Sequence, residues 1–166
     1  MTKIRNLTLL FIFSALFFYG CSWHIDKQKF RETGRAAKAI DRAVEDATLS
    51  YAQFEELLKK LSDEIMRTRP AVSTAQEKQL LNSYEELLTT YQDGSILWEY
   101  KAGSSQYVWI PEGRIYVDAK VRTLVEKYHF PTEAHVVEIT NHHWESISAD
   151  SIRVIWEKAH EQLKKI

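Results

Sequence analysis

Apolar residues recur at alternating intervals of three and four along the segment between Asp26 and Arg69, which contains no proline and one glycine, Gly34. The apolar positions are Ala37, Ile40, Val44, Ala47, Tyr51, Phe54, Leu58, Leu61 and Ile65. This spacing is typical of the a/d seam of a coiled coil or a long bundle helix. It predicts one helix of about 40 residues, about 60 Å long at 1.5 Å per residue. The alternative is a break near Ser50, where Ser50-Tyr51-Ala52-Gln53 fits a capping box.

A second helix is predicted to follow closely and to fold back on the first. Pro70 ends the first helix because its ring excludes the preceding residue from helical geometry. Ser73-Thr74-Ala75-Gln76 fits a capping box for the second helix, and Gly94 is a stop signal at its end. The apolar positions of the second helix are Leu80, Tyr84, Leu87 and Tyr91. The short connection predicts an antiparallel helical hairpin over residues 26–93.

The pattern changes after Gly94 to aromatic and β-branched residues. Ile96, Trp98 and Tyr100 alternate with Leu97, Glu99 and Lys101, and residues 107–110 run back after a turn, which predicts a β-hairpin. Further strands are predicted at Arg114–Asp118 and at His135–Thr140. Between them, the apolar positions Val121, Leu124, Val125 and Tyr128 predict a short helix.

The last residues form one more apolar stripe, Ile152, Trp156, Ala159 and Leu163, which predicts a terminal helix. This helix is expected to pack back on the first and cover its N-terminal half. The predicted fold class is α+β: a long antiparallel, coiled-coil-like helical hairpin followed by a small, mainly antiparallel sheet with two helices. The aromatic-rich segment 94–166 is expected to form one compact domain with the hairpin.

The first residues have the layout of an export signal. Lys3 and Arg5 form a positive n-region, residues 7–18 form an apolar core, and Gly20 is a small residue at the end. An apolar core of about 12 residues is short of the roughly 20 that a transmembrane helix needs, so a membrane-spanning anchor is the weaker alternative.

The segment Phe18-Tyr19-Gly20-Cys21 resembles the lipobox of bacterial lipoproteins, and the resemblance covers about the first 22 residues. It implies a signal peptide at residues 1–20, lipid attached to the thiol of Cys21, and a lipidated N-terminus at residues 21–25. Ser22 after the cysteine implies the outer membrane, facing the periplasm, in a Gram-negative cell. The alternative is that Cys21 is only a small apolar residue that ends a cleaved secretory signal.

Composition and charge exclude some classes of function. A formal net charge of −1 argues against nucleic acid as a partner, because phosphate binding needs a basic surface. Cys21 is the only cysteine, so the fold must hold without an internal disulfide.

The chain contains no Gly-x-Ser-x-Gly elbow, glycine-rich phosphate loop or His-Glu-x-x-His helix, so we expect neither an enzyme nor a bound cofactor. The densest metal candidate is His142-His143 with Glu145 nearby. Adjacent residues on an extended chain point to opposite faces, so this candidate is weak, and we interpret the stretch as a polar loop.

Aromatic residues give the strongest candidates for interaction. Trp98 and Tyr100 are predicted to share one face of the hairpin, with Trp109 on the returning strand. Such a face is either the core of a small sheet or an open platform for a protein partner, a sugar polymer or another β-edge.

These features predict a lipid-anchored, non-enzymatic cell-envelope protein that acts in protein interaction and tethering. It is expected to be membrane-bound through Cys21, with an envelope protein as partner and with self-association through the Ala37–Ile65 seam as a further prediction. The alternative is an envelope binding module for a small ligand, a glycan or a metal, which uses the Trp98/Tyr100 face or the His142/His143 loop.

Overall fold

Residues 25–104, 109–137 and 140–166, the parts of the chain that the computed structural model describes, form five α-helices and a three-stranded antiparallel sheet. The predicted α+β class is therefore confirmed. The elements in chain order are α1 (Arg31–Ala43), α2 (Tyr51–Thr68), a 3-10 turn (Arg69–Ala71), α3 (Ala75–Ser104), β1 (Arg114–Tyr116), α4 (Ala119–Tyr128), β2 (Glu133–Val137), β3 (His142–Ser148) and α5 (Ser151–Lys165).

The first predicted helix is broken, so the alternative of a break near Ser50 is confirmed and continuity was wrong. The Ser50 hydroxyl accepts a hydrogen bond from the Gln53 amide at 3.3 Å, and the Gln53 side chain accepts one from the Ser50 amide at 2.9 Å. Asp46 accepts from the Thr48 amide at 2.9 Å in the connection. The bonds of Ser50 and Gln53 satisfy amide groups at the start of α2, and the bond of Asp46 lies in the connection. The spacing of the apolar residues gives no information on such bonds.

Helix α3 begins one residue later than its predicted capping box. Thr74 and Glu77, rather than Ser73 and Gln76, form the reciprocal bonds: the Glu77 amide donates to the Thr74 hydroxyl at 3.1 Å, and the Thr74 amide donates to the Glu77 carboxylate at 3.2 Å. Because Lys29 also reaches this carboxylate at 2.7 Å, the buried Glu77 ties the entry into α1 to the start of α3.

The predicted β-hairpin after Gly94 was wrong, because α3 continues without interruption to Ser104. Gly94 does not end the helix; it leaves room for Trp156 of α5, whose ring would lie 2.1 Å from a β-carbon at this position. Leu97 is fully buried in the core beside the sheet. Packing of α5 and of the sheet on α3 therefore overrides the local strand signal. Of the predicted return strand, residues 107 and 108 lie outside the described residues, and Trp109 and Ile110 lie in a turn and a bend, not in a strand.

The sheet has the order β1-β3-β2, and both pairs are antiparallel. Strand β1 lies within the predicted Arg114–Asp118, and β2 overlaps the predicted His135–Thr140 at residues 135–137 but begins two residues earlier. The central strand β3 was missed, because His142 and His143 were interpreted as part of a polar loop. β3 has neighbours on both sides, with Ile147 opposite Ile115 and Trp144 opposite His135.

The core consists of two adjoining clusters, one among α1, α2, α3 and α5 and the other between α3, α4, α5 and the sheet. Helix α5 packs on both α3 and α1, and its Ala159 is fully buried, so the predicted return of the last helix onto the first is confirmed. The seam residues Ala37, Ile40 and Phe54 are fully buried within the chain. Self-association through the Ala37–Ile65 seam stays a prediction. Ala37, Ile40 and Phe54 offer no exposed apolar surface for it.

Candidate functional site: an aromatic cleft at the end of α3

A cleft of about 830 Å³ lies where the last turns of α3 approach β1, the start of α4 and the adjoining ends of β2 and β3. This volume is in the range of roughly 300–1,000 Å³ that is common for small-molecule sites. Its walls are largely apolar: they include the rings of Tyr100, Trp109 and Tyr116 and the side chains of Ile110 and Val137. We call this site the aromatic cleft.

Trp109 is held in place by two other aromatic rings. Its ring centroid lies 5.6 Å from that of Tyr116 and 5.0 Å from that of Trp144, with interplanar angles of 84° and 87°. Aromatic pairs favour such edge-to-face contacts because the positive edge of one ring meets the negative face of the other. Trp109 is nevertheless 47% exposed, which is unusual for so large an apolar side chain. The fold therefore orients an indole ring and leaves about half of its surface open.

The sheet explains why these rings meet. Successive residues on a strand point to opposite faces. Ile115 and Ile147 are paired on the face that packs on the helices, and both are fully buried. Tyr116 and Trp144 consequently lie on the other face, where a sheet open to water would ordinarily carry polar residues. The aromatic cleft is built on this second face.

A short hydrogen bond connects the two sides of the cleft. The Tyr100 hydroxyl on α3 donates to the Asp118 carboxylate at 2.5 Å, and the other oxygen of this carboxylate accepts from the Val121 amide at 2.9 Å as the cap of α4. The hydrogen bond to Asp118, with burial and the nearby negative charge adding to it, raises the pKa of Tyr100 to about 12. Burial opposes ionisation of Asp118, but the bonds from Tyr100 and Val121 hold the pKa of this carboxyl below its ordinary value.

The rim of the cleft carries both signs of charge. Lys120 lies 3.6 Å from the Glu99 carboxylate, and its ammonium group is 5.8 Å from the centroid of the Tyr100 ring. With Asp118, the lining contains two carboxylates and one ammonium, so these three groups together carry one negative charge. Such a lining disfavours an anionic ligand.

The structure brings together some of the predicted site residues and separates others. Tyr100, Trp109 and His142 all line the aromatic cleft, although the sequence placed them in different candidate features. Trp98 does not share a face with Tyr100, since residues two apart on a helix point in different directions. The half-buried Trp98 ring packs against the core, with its centroid 5.4 Å from that of Phe54, so the predicted face shared by Trp98 and Tyr100 is not formed.

The histidine pair is divided by the strand on which it lies. His142 lines the cleft, whereas the adjacent His143 occupies the opposite-facing position of β3. Among the described residues, no group of three or more His, Cys, Asp or Glu side chains is arranged to hold a metal ion.

A polar cluster lies beside the aromatic rings. The Ser146 hydroxyl contacts His135 Nε2 at 2.8 Å and accepts a hydrogen bond from Arg114 Nε at 2.9 Å. The His135 ring stacks on Trp144 at a centroid distance of 4.0 Å. Ser146 is fully buried, so the cluster supports the aromatic wall and does not present an accessible nucleophile in this arrangement.

The sequence interpretation did not select Asp118, Lys120 or Glu99. Asp118 followed by Ala119 and Lys120 is a helix N-cap signal, and this signal was available in the sequence. It gives no indication that the same carboxylate also meets Tyr100.

The lipobox residues, including Cys21 and Ser22, lie outside the described residues. Within the described part of the chain, the helices are too short or too polar to cross a membrane. Comparison of the chain with protein-family models, with curated proteins and with solved structures finds no match. Function is therefore inferred from the aromatic cleft and from the sequence itself.

Proposed function

We propose that this chain is a lipid-anchored protein of the bacterial cell envelope that binds a ligand in the aromatic cleft. The observation that carries the proposal is the combination of an oriented, half-exposed Trp109 with a concave apolar wall and a few polar groups. Ligand sites generally have this composition, because apolar walls supply affinity and a small number of polar groups fix orientation. The proposed protein is a binding protein without catalytic activity.

The anchor in this proposal is Cys21. One acyl chain binds a membrane only marginally, whereas two or three hold a protein there stably. Residues 22–30 separate Cys21 from α1, so the cleft would operate close to the membrane and at a raised local concentration towards envelope ligands. We expect labelled palmitate to enter the wild-type chain and not Cys21→Ser. A Cys21→Ser chain that still partitions with membranes contradicts the anchor.

The binding site is tested in intact cells by benzoylphenylalanine at position 109, a photoreactive amino acid that keeps an aromatic ring where Trp109 lies. Position 154 is the matched control, because Val154 is 46% exposed and Trp109 is 47% exposed. We expect one reproducible adduct from position 109 that is absent from position 154. Equal adducts from both positions, or none from position 109, would count against the cleft as a binding site.

A second candidate function, protein interaction and tethering, is favoured by the edge strand β2. In the sheet formed by the described residues, β2 pairs only with β3, and its Val136 is 49% exposed. An unpaired strand edge can accept a strand from a partner protein. Crosslinking with the photoreactive amino acid at position 136 as well as at position 109 separates the two functions, because tethering predicts a protein adduct from position 136, and cleft binding predicts a non-protein adduct from position 109.

A further inference from the structure

We infer that the ligand of the aromatic cleft is a neutral pyranose ring of a glycan, stacked on the indole of Trp109. This inference rests on the proposed function and specifies its ligand. It is carried by three properties of the cleft: the oriented ring, the mixture of donors and acceptors at the rim, and the charges already present there.

The oriented ring fits the shape of a sugar. A pyranose presents a flat array of C–H groups on one face, and this face packs well on the negative face of an aromatic ring. The edge-to-face contacts with Tyr116 and Trp144 restrain the ring of Trp109 before a ligand arrives. Restraint of this kind lowers the entropy that binding would otherwise cost.

The rim suits hydroxyl groups, each of which both donates and accepts hydrogen bonds. Glu99 supplies carboxylate oxygens as acceptors, Lys120 supplies an ammonium donor, and the Thr140 hydroxyl supplies both. Glu99 and Lys120 are both more than half exposed at their side chains, so each can reorient towards a ligand. A purely hydrocarbon ligand would form no hydrogen bond with these groups.

The charges of the cleft argue against anionic ligands and, beside Tyr100, against a second cation. Two carboxylates against one ammonium disfavour acidic sugars and phosphates. Lys120 already lies within cation–π distance of Tyr100, at 5.8 Å from the ring centroid, so a cationic group of a ligand would meet like-charge repulsion there. A neutral ring meets neither penalty.

The test is calorimetric titration of the full chain in a detergent whose headgroup is not a sugar. The probes are cellotetraose, maltotetraose and chitotetraose as neutral glycans, and tetragalacturonate as the anionic comparison. We expect saturable binding of at least one neutral probe and none of tetragalacturonate at the same concentration. Trp109→Ala should weaken that binding about tenfold or more, a loss of the size that an aromatic contact supplies.

Two further variants keep the result interpretable. Val154→Ala, on α5 and outside the cleft, should bind as the wild type does. Glu99→Gln changes an exposed side chain and should weaken the neutral probe about threefold while circular dichroism stays unchanged. If Trp109→Ala does not fold, the loss in Glu99→Gln against unchanged Val154→Ala still tests the site.

The inference is overturned if none of the three neutral probes binds, or if tetragalacturonate binds more tightly than they do. Failure of the glycans with a persistent non-protein photoadduct at position 109 would remove only the sugar assignment. Failure of the glycans together with the absence of that adduct would remove the proposed binding function as well.

Discussion

Trp156 of α5 lies directly over Gly94 in the middle of α3, so that a β-carbon on Gly94 would be 2.1 Å from two atoms of the indole ring. The same indole packs 5.2 Å from the ring of Phe54 and 6.1 Å from that of Tyr91, centroid to centroid. Gly94 therefore allows the last helix to approach the longest one, and this contact joins the two core clusters.

Gly94→Ala should destabilise the protein by about 1–3 kcal/mol, because overpacking a filled core costs that much and exceeds the gain of up to about 1 kcal/mol in helix propensity. Gly103→Ala is the matched control, since Gly103 is on the same helix and, among the described residues, no atom lies within 4 Å of an added β-carbon. It should stabilise the protein by about 0.5–1 kcal/mol. Urea unfolding of both variants checks this, and equal effects at the two positions would contradict the close approach.

Glu77 should make stability fall in acid. Its pKa is lowered from 4.5 to about 2, first by the hydrogen bond from Lys29 and then by the bonds from Ser73 and Thr74. A carboxylate with a depressed folded pKa stabilises the protein above its unfolded pKa, and this contribution disappears as pH falls from about 4.5 to about 2. Unfolding free energies measured from pH 7 to pH 2 should show this loss. Glu77→Gln should be less stable at pH 7 and flatter over this range.

Tyr100→Phe should destabilise the protein by about 1–2 kcal/mol, because the Asp118 carboxylate loses a charged hydrogen bond. Since the pKa of Tyr100 is raised from 10 to about 12, the wild-type contribution is full below pH 10 and is lost as pH rises towards 12. The difference in absorbance at alkaline pH between wild type and Tyr100→Phe isolates this phenol. If the Tyr100 phenol titrates near pH 10, its hydrogen bond to Asp118 is not formed.

Ser50→Ala should cost about 1 kcal/mol, the usual loss when a helix N-cap hydroxyl is removed. Thr89→Ala is a suitable control, because it removes a hydroxyl from an exposed interior position of α3 and slightly improves helix propensity. Chemical unfolding compares the two. An unchanged stability in Ser50→Ala would mean that the break between α1 and α2 does not depend on the capping box.

Much of the helical architecture was readable from the sequence, because apolar spacing reports which face of a helix is buried. Most of the Ala37–Ile65 seam and the stripe of the last helix lie in or against the core, whereas Ala47 is exposed in the connection between α1 and α2. The same spacing passes through Ser50 without interruption, so it cannot distinguish one helix from two helices that keep the phase. Only the local hydrogen bonds of Ser50 and Gln53 decide this.

The errors after Gly94 have a tertiary cause. In isolation, Gly94 is a helix-stop signal and the alternation around Trp98 is strand-like, but the packing of Trp156 on Gly94 and the burial of Leu97 keep the segment helical. For the same reason, the aromatic cleft was not predictable as a unit. Tyr100 meets Asp118 only because α3 extends beyond Gly94, and Trp109 meets Trp144 only because β3 is the central strand.

The central claim is that the aromatic cleft is occupied in the cell envelope, and hydroxyl-radical footprinting with mass spectrometry tests it most directly. Trp109 and Met66 are both readily oxidised and are 47% and 55% exposed, but Met66 is not part of the cleft lining. We predict that Trp109 is oxidised several-fold less in intact cells than in the purified chain, whereas Met66 is oxidised equally in both. Equal oxidation of Trp109 in cells and in the purified chain would contradict the account.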